Sequence, residues 1–422
     1  MNRQPSTINV DSIILYLAFV LASLRASMFV YLHPDTSILL GPAWIEIALW
    51  IFIVFVVGQT LLRDGQMNRY LVLWRRTWLP AAFVLLALAS VRWSIGPAET
   101  LFRALELLFA TLTAAYFGMR LIPEELMDTL FWFGAVVLIL SLALVFGAPP
   151  TGTMYWEPFN GAWRGVYWHR NHLASIAAFV NIIYLCRMVL AYQRRNPNGV
   201  LDGILYVFSF IVLYFTRSAT GYILWIVMHA FVGLVLVWLR IYHRLQKRHY
   251  AWTFGAGLLA AVLALSNLDV IFGLFNRDTT MTGRVVLWNH LLDLASRRLW
   301  VGHGFGAVWN FDWFREEIKQ LAGWPSQPLI ADNGLLDIFL HLGMTGVVLF
   351  VGVLVFTTVR SVRYALAKKT LAGFFPLLIM VYALFANISF SLFAETEVFV
   401  WFLMIAALFM TSLPSEHDTA TL

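Results

Sequence analysis

Apolar stretches of helix-spanning length recur along nearly the whole chain, at 13–32, 43–62, 77–93, 102–118, 124–147, 171–190, 201–216, 220–239, 251–274, 343–359, 371–388 and 397–412. About twenty consecutive apolar residues cross the hydrocarbon core as a helix, which satisfies its backbone polar groups internally. The pattern predicts an all-α, polytopic integral membrane protein with about twelve transmembrane helices, forming a single membrane domain over residues 1–422. Only 12% of residues are charged, roughly half the soluble-protein share. The 34 Phe, 18 Trp and 15 Tyr suit wide apolar faces and interfacial anchoring. The first run lacks a small-residue cleavage signature and reads as a retained span.

The formal charge of +6 would suggest nucleic acid in a soluble protein. Here it is mostly orientation signal, and no nucleic-acid partner is expected. With the N-terminus in the cytoplasm, Arg63, Arg69, Arg75 and Arg76 fall inside. So do Arg194 and Arg195, the cluster Arg240, Arg244, Lys247 and Arg248, and the cluster Arg360, Arg363, Lys368 and Lys369. All lie on one side, as the positive-inside rule requires, and the same count puts the C-terminus inside. A second set of arginines, Arg170, Arg217 and Arg284, then emerges on the opposite side beside the hydrocarbon. Charge there needs a partner or a ligand, and a multi-anionic lipid headgroup such as a polyprenyl pyrophosphate would serve.

Two external segments are long. The loop at about 148–170 is rich in Gly, Pro and aromatic residues, which predicts order at the membrane surface. The larger one, about 275–342, contains GRVVLWNHLLDLASRRLW, where Leu287, Leu291 and Leu294 recur at helical spacing and Trp288, Leu292 and Ala295 widen the face. Polar interruptions make this a helix lying in the membrane plane.

Four constellations could carry chemistry. RGVYWHRNHLA gathers Arg164, His169, Arg170, Asn171 and His172 where the first loop enters a span. Arginine forks match phosphate oxygens, and the following helix N-terminus offers backbone N–H groups; interfacial anchoring by snorkelling is the alternative. TRSATG places Arg217 in a short external hairpin, as a ligand contact or as a charge enforcing the turn. Arg284 begins the surface helix, where the dipole disfavours a cation and a nearby anion would explain it. GHGFGAVW and ADNGLLDIFLHLGMTG supply His303, Asp332 and Asn333. His303 could act as a base or bind sugar. Asp332 or Asn333 could cap a helix, or Asp332 could activate a hydroxyl. Glu395 and Glu397 could pair with the arginines, bind acceptor sugar or simply be solvated. The lone Cys186 excludes an internal disulfide and a cysteine-built metal site. Histidine and carboxylate spacing predicts no metal, and nucleotide motifs are absent, so no cofactor is expected.

These motifs, in their order over roughly 160–400, resemble the bacterial O-antigen ligase and polymerase superfamily, which includes exopolysaccharide polymerases. The resemblance implies a GT-C-like glycosyltransferase fold in the bacterial inner membrane, with a periplasmic active site and a large periplasmic loop bearing surface helices. It implies an undecaprenyl-pyrophosphate-linked glycan as donor and a glycan or lipid A-core as acceptor. Membrane lipids, and polysaccharide export and chain-length proteins, would be its other partners. Arg217 and Arg284 match the family's pyrophosphate-gripping arginines, with Arg170 at an often basic position. Many relatives have histidine where this chain has Asp332, though a carboxylate can accept a proton equally. Polymerisation is the favoured activity, with ligation to lipid A-core as the alternative. A flippase or transporter for the same lipid is the rival class, but it would need arginines through the membrane depth and two matching halves.

Overall fold

The computed structural model describes residues 10–32, 41–155, 159–196, 199–244, 284–322, 331, 333–389 and 398–412. In chain order the helices are α1 Val10–Leu32, α2 Gly41–Arg63, α3 Met67–Arg76, α4 Trp78–Ala89, α5 Pro97–Arg120, α6 Pro123–Gly147, α7 Pro149–Gly152 and α8 Arg170–Gln193. There follow α9 Gly199–Phe215, α10 Ala219–Ile241, α11 Arg284–Ser296, α12 Asp312–Ala322, α13 Gly334–Lys368, α14 Phe375–Ser389 and α15 Phe399–Met410. Extended pairing among the described residues is one isolated bridge, Thr153 to Trp163. The chain is a polytopic, all-α membrane protein.

The expected number of spans is wrong. Among the described residues, six helices are long and apolar enough to cross a membrane: those in α2, α5, α6, α8, α10 and α13. They become seven if α3 and α4, bent by 83°, form one broken span. The GT-C-like architecture falls with the count of twelve, since nothing among the described residues marks that fold. Hydropathy registers apolarity and says little about why a segment is apolar. α15 has 12 residues, all buried, and at 1.5 Å per residue covers about 18 Å of a roughly 30 Å core. Its uniform apolarity comes from burial in protein on every side. α9 and α14, at 17 and 15 residues, are also short, and the run at 251–274 lies outside the described residues.

α15 packs along α5, where Trp401 Nε1 donates to Thr111 Oγ1 at 2.8 Å. Rings of Phe19, Phe133, Phe179 and Phe399 pack together beside it. A second, smaller core joins α11, α12 and the start of α13, through Leu287, Leu291, Ala295, Trp309, Phe314 and Leu340. The helix expected in the external segment is therefore present as α11. Its buried face is Leu287, Leu291 and Ala295, while Leu292 is exposed. The helix packs on protein with the narrower stripe.

Ion pairs identify one end of the bundle. Arg120, closing α5, meets Asp11 at the start of α1 and Asp64 just beyond α2. Three residues later α6 begins, and its Asp128 meets Arg187 of α8, which also holds Asp202 of α9. At the other end lie the start of α5, the end of α6, the start of α8 and the hairpin between α9 and α10.

α13 is broken at that second end. Gly343 has φ 65° and ψ −166°, where a side chain on an L-residue is disfavoured. The segment 299–304 docks into the break. His303 N donates to Leu340 O at 3.1 Å and Gly304 N to His341 O at 3.0 Å, while Met344 N reaches Leu299 O at 2.8 Å. A Cβ on Gly343 would stand 2.4 Å from the Trp300 carbonyl carbon. Gly343 thus marks a helix break into which another backbone fits. His303 O in turn accepts from Ile95 N at 3.0 Å, beside the start of α5.

Candidate functional site

The first group of predicted residues assembles around the 216–218 hairpin. Arg217 adopts φ 51°, an uncommon left-handed conformation for a residue with a side chain. Its exposed guanidinium reaches back to the first loop, where Nη1 donates to Asn160 O at 3.3 Å. Beneath it Arg170 is buried. Arg170 Nη1 donates to Thr216 O at 3.2 Å and also to Arg217 O, with its guanidinium 3.9 Å from the centre of the Phe159 ring. Arg170 thus braces the hairpin that presents Arg217.

Two helices begin here side by side. His169 caps α8, its Nδ1 accepting from Asn171 N at 3.2 Å. Ser218 caps α10 by accepting from Gly221 N at 3.2 Å, and its hydroxyl donates to Asn171 Oδ1 at 2.9 Å. Two helix N-termini and an exposed arginine converge on one patch, where partial positive charge from the orphan N–H groups adds to the guanidinium.

Arg164 and His172 stand behind this patch. Arg164 spans the loop, with Nε donating to Thr151 O at 2.9 Å, Nη2 to Pro150 O at 3.0 Å and Nη1 to Trp168 O at 3.3 Å. His172 is buried against the Tyr167 and Trp168 rings. The first loop is pinned to α9 where Trp163 stacks on Phe215 at 4.5 Å.

The second group lies at the same end on different elements. His303 is buried, and its Nδ1 faces Leu340 O at 3.2 Å. A carbonyl only accepts, so Nδ1 carries the proton and Nε2 is the basic nitrogen. Burial pushes the imidazole below its ordinary pKa, with the Leu340 carbonyl opposing the shift and Arg298 adding to it. His303 is therefore neutral at neutral pH. Asn333 caps α13, its Oδ1 accepting from Leu335 N at 3.1 Å and Leu336 N at 3.2 Å. Of the two residues that could cap this helix, Asn333 does so, and Asp332 lies outside the described residues, as do Glu395 and Glu397. Arg284 is the first residue of α11, and its side chain is outside the described set.

Sequence reasoning missed Asp337. This carboxylate is fully buried. It accepts from Trp309 Nε1 at 2.9 Å and from Ala331 N at 3.1 Å. A signal was present, since an acid inside an apolar run has to find partners.

The class these features define is a helical membrane protein with an exposed arginine between two helix starts at one end of its bundle. The family model for O-antigen ligase matches residues 204–351, a stretch that includes Arg217, Arg284, His303, Asp332 and Asn333. The chain is 25% identical over 268 residues to the exopolysaccharide production protein ExoQ of Rhizobium meliloti (strain 1021), covering 62% of this chain and 57% of that protein. The chain therefore matches little more than half the length of this relative. The chain is thus similar, over these stretches, to membrane proteins of the O-antigen ligase and polymerase superfamily.

Proposed function

We propose that the protein transfers an undecaprenyl-pyrophosphate-linked glycan to an acceptor sugar on the periplasmic face of the bacterial inner membrane, polymerising O-antigen or exopolysaccharide repeat units. The observation that carries this reading is Arg217, exposed in a braced hairpin between two capped helix starts. An acceptor hydroxyl attacks the anomeric carbon of the donor sugar, and the bond from that carbon to the pyrophosphate oxygen breaks with its electron pair going to the leaving group. Arg217 and Arg284 bind the growing charge, and Arg170 adds its field from beneath. The hydroxyl proton passes to Asp332 or to Nε2 of His303. His169, Asn171, His172, Arg164 and Asn333 hold the frame, and Glu395 and Glu397 are assigned to the acceptor side. Arginines supply the positive charge that a metal would otherwise bring, so the reaction is proposed to need no metal or cofactor.

Similarity to an exopolysaccharide production protein favours polymerisation. The description of the matching family as O-antigen ligase favours the second reading, transfer to lipid A-core. Membranes containing the protein, incubated with lipid-linked repeat units alone, should give a ladder of products on a gel. Growth only when lipid A-core is added would replace polymerase by ligase, and no transfer with either acceptor would end both readings. In the same assay Asp332→Asn should lose transfer, because an amide caps a helix but accepts no proton; Asp332→His should keep part of it.

A further inference from the structure

We propose that Asp337 is a positioning residue which clamps the Ala331 peptide, next to Asp332 in sequence, to the helix that begins at Arg284. The proposal rests on the transferase reading for what those two residues do, while the clamp itself rests on contacts around the Ala331 peptide. That peptide is buried and gripped from both sides. Its N–H donates to both Asp337 oxygens, at 3.1 and 3.3 Å, and its carbonyl accepts from Trp288 Nε1 at 2.8 Å. Trp288 lies one helical turn after Arg284 on α11. Asp337 also accepts from Trp309 Nε1 at 2.9 Å, which ties in the segment that follows the docked 299–304 backbone. Three elements are therefore linked through the Ala331–Asp337 pair: α11 through Trp288 on Ala331, the loop through Trp309 on Asp337, and α13 through Asp337 itself.

The choice of a carboxylate here is informative. An apolar residue would fill the same volume, and a buried charge is costly unless donors surround it. Asp337 has both oxygens engaged, and a carboxylate accepts from two directions without presenting a hydrogen to either donor. Asparagine cannot do this. Its Nδ2 would face a donor, either the Ala331 N–H or the Trp309 indole. The clamp thus needs an anion for geometric reasons, and no proton transfer is asked of it. Its consequence is that the chain next to Asp332 and the helix that begins at Arg284, 48 positions apart in sequence, are tied together at Ala331. A base and a leaving-group arginine must keep a fixed separation for in-line displacement.

The test uses the full-length protein in nanodiscs, with hydrogen exchange and transfer rates measured on the same preparations of Asp337→Asn, Asp332→Asn and the double variant. Asp337→Asn should speed exchange in peptides covering 331–336 and α11 while leaving α5 and α8 unchanged. Its kcat should fall about tenfold or more, with the donor KM held, and the double variant should be no slower than Asp332→Asn alone. Unchanged exchange at 331–336 overturns the clamp, and so do rate losses that multiply in the double variant. Asp332→Asn at the wild-type rate removes the base assignment by itself, and the exchange result then judges the clamp alone. If Asp337→Asn does not accumulate, Trp309→Phe removes one donor at smaller cost; it should also speed exchange at 331–336, and unchanged exchange there overturns the proposal.

Discussion

At the end where α1 begins, Arg120 meets Asp11 and Asp64, and Arg187 meets Asp128 and Asp202. At the other end Arg217 donates to a main-chain carbonyl and has no carboxylate within ion-pair range among the described residues. Arg164 and Arg170 there also donate to carbonyls. A carboxylate neutralises an arginine, whereas a carbonyl orients it and leaves its charge in place. The first arrangement joins helices. The second orients the Arg217 guanidinium beside two helix starts.

The largest effect expected from this contrast is on stability at the paired end. Arg187→Leu strips its partner from Asp202, which is 3% exposed, and breaking a buried pair this way costs about 3–5 kcal/mol. Removing both charges, in Arg187→Leu/Asp202→Leu, should recover most of the melting temperature in detergent. Transfer per folded molecule should stay near wild type in both. A rate loss beyond the loss of folded protein would mean that the paired end also serves the chemistry.

Arg217 should behave in the opposite sense. Arg217→Gly relieves a left-handed conformation that costs an L-residue about 1–2 kcal/mol, so the melting temperature should hold or rise. Transfer should nonetheless fall by about tenfold to a hundredfold, the equivalent of a charge-assisted hydrogen bond of about 1.5–3 kcal/mol. Arg217→Lys should recover little, because an ammonium lacks the planar fork. A glycine variant with full activity would make the residue a turn-former only.

The smallest effect concerns Asp64, whose pKa is held down by hydrogen bonds from Arg120 and then Arg63. A carboxyl with a depressed folded pKa stabilises the fold fully above its unfolded value, about 3.9, and loses that contribution as pH falls through the folded value. Asp64→Asn should therefore melt slightly below wild type at pH 7, with the gap closing only at pH below about 4. A gap that closes near pH 6 would point to a histidine.

Much of this contrast is legible in the sequence. The spans in α2, α5, α6, α8 and α10, and the placement of Arg170 and Arg217 at helix starts, follow from apolar length and charge position. The division of labour does not. Arg164, Arg170 and His169 look as suited to a ligand as Arg217, and only the carbonyls and the Asn171 amide they meet show them bracing the frame. Asp337 reads as a first-turn acid until Ala331 and Trp309 arrive from elsewhere in the chain. The short α15 looks like a span because apolar sequence is the same whether lipid or protein surrounds it. For Asp332, Glu395 and Glu397 the sequence remains the whole basis of assignment.

The break at Gly343 bears on how the chain is made. Half of a severed helix cannot rest in lipid with bare carbonyls and amides, so α13 needs its substitute partners at hand when it leaves the ribosome. Those partners, residues 299–304, lie upstream and are synthesised about forty residues earlier. The order of translation thus delivers the splint before the fracture. A circularly rearranged gene that placed α13 ahead of this segment would leave the helix waiting, its open ends exposed to quality-control proteases.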